Sequence, residues 1–240
     1  MKYLKRTSLE KVFLKTTRIR RDIVSSGNYK TGLSINFPVI TCAPTEVCRR
    51  LCYGLKGRLA MTPALKYACH TFRTFKTLHP EVLKYLVLRD FADNGFIRWN
   101  GIGDLFPESI AVINLITEMP QMVFSRKPIL LNKVNHHVLR IFSADRSNWD
   151  KVNLLDPGIV VSYLVSEGDT VKDVMDKGDQ IDILFLDNPK YYLAFKSLKS
   201  KWCRGDSFAN SKEGACNRSF AAATGCFKGA RAHDTPKIRE

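Results

Sequence analysis

Two alternating patterns constrain this chain more than any other feature. Short, nearly unbroken apolar runs recur, and stretches of helical character separate most of them. The runs are LSINFPVI (33–40), FIRWNGIGD (96–104), QMVFSRK (121–127), RIFSADR (140–146), GIVVSYLV (158–165) and QIDILFLDN (180–188). Between them, 62–78 reads as a helix with Thr62 as N-cap and Pro63 in its first turn. Further helices are expected over 80–93, 107–119, 128–140 and 170–178. Strands that are apolar on both faces belong in a parallel sheet covered by helices. Right-handed crossovers curl such a sheet in one sense. The expected fold is therefore α/β, a partial (β/α)6 barrel-like parallel sheet with helices outside; a doubly wound sheet is the alternative. Residues 1–31 form a basic N-terminal segment, 32–195 the α/β core, and 196–240 a basic, cysteine-containing extension.

In either architecture the functional face lies at the carboxyl ends of the strands. The first run ends at a cysteine loop, and the second at Asn100-Gly101-Ile102-Gly103-Asp104. The third ends at Ser125-Arg126-Lys127, the fourth at Ser143-Ala144-Asp145-Arg146, the fifth near Ser166-Glu167 and the sixth at Asp187-Asn188. Thiols, carboxylates and cations thus collect at one mouth, which is the layout of a cofactor or active site. The plainer explanation is that loops are wet and strands end in polar residues for that reason. Gly101 and Gly103 would let backbone approach a ligand closely, although a tight turn accounts for them equally well.

Cysteine spacing raises the set above the plain explanation. Of seven cysteines, Cys42, Cys48 and Cys52 fall within eleven residues as C-x5-C-x3-C, with Arg49 and Arg50 between them. Cys203, Cys216 and Cys226 form a looser group near the C-terminus. An odd count without a secretion signal argues against a disulfide framework. Three thiolates gathered in one loop repel each other unless a soft metal or an iron–sulfur cluster neutralises them. Zinc usually takes two C-x2–4-C pairs, and this loop has no such double pair. Three thiolates with one vacant position suit a [4Fe–4S] cluster with an open iron. Zinc and metal-free redox thiols remain alternatives.

Charge adds a partner class. The chain carries +15, with nine Lys/Arg against two Asp/Glu in 1–31 and ten against four in 196–240. Basic ends of this kind neutralise phosphates, so a nucleic-acid or phosphorylated partner fits; a solvated, solubilising surface fits too. No helix-turn-helix, Walker A, HExxH or G-x-S-x-G pattern occurs. The five histidines form no array, and Tyr67, Phe72 and Phe75 read as helix packing. No run is long enough for a membrane span. A soluble protein of the cytoplasm, without a membrane partner, is expected.

Several of these segments together resemble an uncharacterised family of phage and plasmid proteins, the gene product 88-like family. They are TGLSINFPVITCAPTEVCRRLCYGLKGR, RWNGIGDLFPESIAVINLITEMPQMVFSRKP and FSADRS. The places that carry the resemblance are Cys42, Cys48, Cys52-Tyr53, Lys56-Gly57, Gly103-Asp104, Phe124 with Lys127, and the tail cysteines Cys203, Cys216 and Cys226. More distantly the layout resembles radical S-adenosylmethionine enzymes. Their six-unit partial barrel carries a cluster-binding triplet after its first strand, at C-x3-C-x2-C rather than the spacing found here. That resemblance implies cluster ligation by Cys42, Cys48 and Cys52, with S-adenosylmethionine as a possible second cofactor.

The resulting expectation is an iron–sulfur enzyme acting on a phosphorylated or nucleic-acid-related substrate, in a host cytoplasm if phage-encoded. Cys42, Cys48 and Cys52 are its metal ligands, with Cys203, Cys216 and Cys226 completing the site or forming a second. Asn100, Gly101, Gly103 and Asp104 are candidate cofactor contacts, and Asp104, Lys127 and Asp145 candidate catalytic groups. The competing expectation is a non-enzymatic nucleic-acid-binding protein stabilised by zinc.

Overall fold

The structure is a computed structural model and describes residues 2–16, 18–19, 22–23, 25–28, 32–177 and 180–186. The expected strand end Asp187-Asn188 and the whole extension 196–240, including Cys203, Cys216 and Cys226, lie outside the described residues.

Five parallel strands form the sheet: β3 (Ile97–Trp99), β4 (Gln121–Ser125), β5 (Leu139–Ala144), β6 (Val160–Val165) and β7 (Ile183–Leu186). They lie side by side in chain order, β3-β4-β5-β6-β7. Ile35 adds a parallel bridge beside Trp99, held by Ile35 N–H to Arg98 C=O at 3.0 Å and Gly101 N–H to Ile35 C=O at 3.2 Å. The first apolar run thus occupies the sixth sheet position. An order in which every strand sits next to its predecessor winds the sheet one way instead of doubling back.

Curvature shows in a single contact. Phe124 on β4 and Phe185 on β7 have ring centroids 6.4 Å apart in an edge-to-face arrangement. Three strand spacings of about 4.8 Å would put these positions about 14 Å apart in a flat sheet. The rings meet because the sheet curls and both point into its hollow. Arg98 lies over the same Phe124 ring at 4.7 Å. Phe96, Met122 and Ile141 form a small cluster on this concave side, flanked by Phe124, Leu139 and Val160.

The convex side carries the main core. Trp99, Val123, Phe142, Val161, Tyr163 and Leu184 alternate with the inward residues, as a strand's period of two requires. Over them pack α3 (Thr62–Thr77), α4 (Pro80–Asp90) and α5 (Pro107–Leu115) through Phe75, Leu83, Val87, Val112 and Ile113. Phe37, Phe72, Phe75 and Phe106 interlock edge-to-face, with the Phe37–Phe106 centroids 4.8 Å apart. Tyr67, Phe72 and Phe75 accordingly include core packing residues. No helix among the described residues is long and apolar enough to cross a membrane.

Three elements differ from the sequence reading. The run 33–40 is not one strand. Its start, β2 (Gly32–Ser34), pairs antiparallel with β1 (Ser25–Asn28), and its end becomes a 3-10 turn, Val39–Thr41. Pro38 lacks the N–H that a ladder needs, and the next two N–H groups are taken by a carboxylate described below. The expected helix 128–140 shrinks to α6 (Pro128–Leu131). Asn132 and Asn135 follow it, and the Asn114 side chain accepts Asn135 N–H, competing with helix, while the Asn132 side chain turns to Asp156 N–H. The basic start also contains a full helix, α1 (Lys2–Thr16), which packs against α3 and the 39–41 turn.

Gly103 joins β3 to this packing. Its φ is +83°, and an added Cβ would lie 2.6 Å from Phe37 Cβ and 2.7 Å from the Phe37 carbonyl oxygen. Backbone strain and a collision with fixed atoms then coincide. Gly103→Ala is expected to destabilise the protein by about 2–4 kcal/mol, read as a lowered urea midpoint at unchanged slope.

Candidate functional site

The cysteine loop begins where Pro38 ends the sheet pairing. Glu10 of α1, fully buried, accepts Val39 N–H at 3.0 Å and Ile40 N–H at 2.9 Å. Arg6, one helical turn earlier, donates Nε to the same carboxylate at 2.8 Å. The lone acid of a cationic helix therefore fixes the turn that delivers Cys42. Thr41 continues the brace: its hydroxyl accepts Asp104 N–H at 2.8 Å and donates to Pro38 C=O at 2.8 Å.

Thr45 starts α2 (Glu46–Leu51) as its N-cap, accepting Cys48 N–H at 3.0 Å. The same hydroxyl donates to Asp145 at the end of β5, at 2.5 Å. Arg126, just after β4, donates Nη1 to that Asp145 oxygen at 2.6 Å. Ser147 N–H serves the other oxygen at 2.8 Å. Asp145 is fully buried and Arg126 nearly so, 11% exposed. Cys52 closes α2 as its C-cap.

Asp104 is the second buried carboxylate of the mouth. It accepts Leu105 N–H at 2.7 Å, the Ser125 hydroxyl at 2.6 Å and Arg126 N–H at 3.2 Å. Burial pushes its carboxyl up, and the Ser125 hydroxyl and then the Lys127 ammonium oppose that. Lys127 donates Nζ to Thr41 C=O at 2.5 Å and to Leu105 C=O at 2.8 Å. It ties the cysteine loop to the Asp104 loop.

The three triplet thiols share one electrostatic neighbourhood. Cys42, Cys48 and Cys52 are free and half-buried. Desolvation lifts the Cys42 thiol well above its usual range, with Asp104, Cys48 and Cys52 adding to the shift. Burial also raises Cys48, which Arg126 partly offsets. Cys52 is raised by burial too, opposed by the Gly54 and Leu55 N–H groups and then by Arg6 and Arg126. Burial thus disfavours ionisation of each thiol, and Arg126 and Arg6, which offset this in part at Cys48 and Cys52, already hold carboxylates.

The sequence candidates divide clearly. Cys42, Cys48, Cys52, Asp104, Lys127 and Asp145 all sit at the mouth. Gly101 and Gly103 are filled by neighbours: a Cβ on Gly101 would lie 2.3 Å from Asn36 Oδ1 and 2.4 Å from Ser34 Oγ. Asn100, buried at φ 57°, donates Nδ2 to Phe124 C=O at 2.8 Å, and its Oδ1 has no partner among the described residues. Cys69 lies elsewhere, buried on α3 against the Glu10 carbonyl. Glu10, Arg6, Thr41, Thr45 and Arg126 escaped the sequence reading as site residues. Thr45 had a usable signal, a Thr three residues before Cys48 at a helix start; Glu10 had only its isolation among cations.

Among the described residues, no three His, Cys, Asp or Glu side chains are arranged to hold one metal ion. A cluster spreads its thiolates over separate irons and so demands wider spacing than a single ion does. Three thiols that share one neighbourhood are the donor type that an iron–sulfur cluster takes.

A protein-family model described as Gene product 88 matches residues 8–222 of the chain. No curated protein and no solved structure matches it.

Asp145→Asn is expected to cost about 3 kcal/mol, because Arg126 stays buried with its charge uncompensated. Thr45→Val alone should cost about 1–2 kcal/mol, and less in the Asp145→Asn background, since the Thr45–Asp145 bond is shared by both changes while the cap on Cys48 N–H is not. Urea unfolding of the two single variants and the double variant measures the coupling. A pH effect follows from the thiols. Folding favours their neutral form, so that stability is complete below the unfolded thiol value of about 8.5 and is lost as pH rises above it. The urea midpoint of the metal-free protein should fall between pH 7 and pH ~9.5, and fall less in Cys42→Ser.

Proposed function

The chain belongs to the gene product 88 family, and from that premise we propose that it is an iron–sulfur protein serving a one-electron reaction at the barrel mouth. Cys42, Cys48 and Cys52 would hold a [4Fe–4S] cluster, with one iron left open for a substrate atom. The observation that carries the reading is the shared setting of the three thiols at the carboxyl ends of parallel strands, where burial raises the pKa of each. A thiolate there is costly without a cationic partner, and an iron cluster supplies one.

The bound cluster would supply electron transfer and a Lewis-acidic iron. The chain's own residues do the positioning. Glu10 and Thr41 set the approach to Cys42, and Thr45 sets Cys48 by capping its helix. Arg126 stands near Cys48 and Cys52 and favours their charged forms. Asp104 and Lys127 brace the loops across the mouth rather than offering free groups for proton transfer. The segment Gly101–Asp104 offers S-adenosylmethionine no open cradle, because Ser34, Asn36 and Phe37 fill the space a side chain would take. A radical reaction would draw on other residues at the mouth for that cofactor. A phosphorylated or nucleic-acid-related substrate suits the cationic N-terminal segment.

Anaerobic purification followed by iron and acid-labile sulfide analysis tests the proposal. The expected result is about four irons and four sulfides per chain with a brown chromophore, lost in Cys48→Ala. A colourless protein without iron after anaerobic reconstitution overturns it, and so does full iron loading of Cys48→Ala. Arg126→Gln, a positioning variant, should keep the iron and shift the cluster's reduction potential downward by removing a nearby cation.

A further inference from the structure

Beside the cysteine loop, α1 also borders a cleft of the surface. A cleft of about 200 Å3 opens between α1, the loop after Cys52 and the start of α3. Its polar lining is Lys2, Lys5, Arg6 and Thr62, and its apolar lining includes Leu55 and Leu65. It contains three cations and no carboxylate.

Arg6 makes the cleft more than a group of surface lysines. It is 5% exposed. Its Nε serves Glu10 at 2.8 Å and its Nη1 serves Leu59 C=O at 3.0 Å, while the buried Nη2 has no partner among the described residues. A buried guanidinium nitrogen left unpaired costs free energy that a bound acceptor would recover. Lys2 and Lys5 are exposed and free to turn toward the same space. Thr62 begins a helix of sixteen residues, whose N-terminal dipole favours an anion.

We propose that this cleft binds a terminal phosphate monoester, on a small metabolite or at the end of an oligonucleotide. A phosphate monoester carries about −1.5 to −2 at neutral pH and three acceptor oxygens, which matches two exposed lysines and the spare guanidinium donor of the Glu10-paired Arg6 better than one carboxylate does. The size agrees. Sites for drug-sized ligands run from about 300 to 1,000 Å3, so this cleft takes the phosphate and the first atoms of its substituent, against Leu55 and Leu65, while the rest projects outward. No residue of the cleft is a thiol, so the site stands whether or not a cluster binds.

The test is calorimetric titration of the full chain at low ionic strength. The titrants are phenyl phosphate, a 5′-phosphorylated dinucleotide, the dephosphorylated form of each, and inorganic phosphate. Saturable binding of at least one phosphorylated form, absent for its dephosphorylated counterpart, is expected; which one binds identifies the source. Lys2→Gln/Lys5→Gln changes two exposed side chains and should weaken binding about tenfold or more, whereas Lys66→Gln, on α3 outside the cleft, should bind like the native chain. The proposal is overturned by equal binding of phosphorylated and dephosphorylated forms, by no binding of either phosphorylated form, by an unaffected Lys2→Gln/Lys5→Gln protein, or by equal weakening in Lys66→Gln. Binding of inorganic phosphate without the monoesters overturns it as well.

Discussion

Everything at the mouth depends on carboxylates shut away from water among donors. Asp145 is the centre of this arrangement. One of its oxygens takes both Arg126 and Thr45, the other takes Ser147 N–H, and its own N–H goes to Asn148 at 2.7 Å. Because a buried charge must have its partners close and well aimed, the end of β5 dictates where α2 starts. Asp104 does the same between β3 and β4, and Glu10 between α1 and the 39–41 turn. Buried ion pairs add little net stability against their desolvation, while breaking one is expensive. Their contribution here is geometric: three loops from distant parts of the chain are held to one arrangement.

What the sequence makes readable follows from physical period. The parallel strands are apolar on both faces, so their runs stand out without a structure, and their boundaries move by only a few residues. The curl of the sheet is visible only as the meeting of Phe124 with Phe185, which no local pattern encodes. The end of the first run was misread because Pro38 and Glu10 act together across 28 residues of chain. Glu10 itself reads only as an isolated acid in a basic segment, and tertiary packing reveals that its pair with Arg6 is buried. The cysteine triplet, by contrast, is legible from spacing alone, since three thiols in eleven residues have no packing rationale.

Roles are harder to read than positions. Asp104 and Lys127 stand where a reacting acid or base would be sought, yet Asp104 is surrounded by N–H and O–H donors and Lys127 reaches two carbonyls. Gly101 and Gly103 pack against residues 34–37. Polar residues at strand ends therefore fall into two kinds. Some are consumed in holding the mouth together. The thiols belong to the other kind, partly exposed yet desolvated enough that burial opposes their ionisation.

That opposition carries the chemical argument further. A thiol needs neither a cationic neighbour nor a cluster to be stable as a neutral, desolvated group, and Cys69 shows as much, its pKa pushed up to about 12 by burial on α3. Three such thiols within mutual electrostatic range are different. Any one that ionises makes the next harder to ionise, and Asp104 adds to the penalty at Cys42. Arg126 and Arg6 relieve Cys48 and Cys52 in part, but both guanidinium groups are already committed to buried carboxylates. Holding all three as thiolates near neutral pH is therefore costly, a cost that a cationic centre among them would offset. The loop itself is braced by Glu10, Thr41 and Thr45 through hydrogen bonds that leave the Cys42 and Cys48 sulfurs out, so its geometry does not depend on their charge.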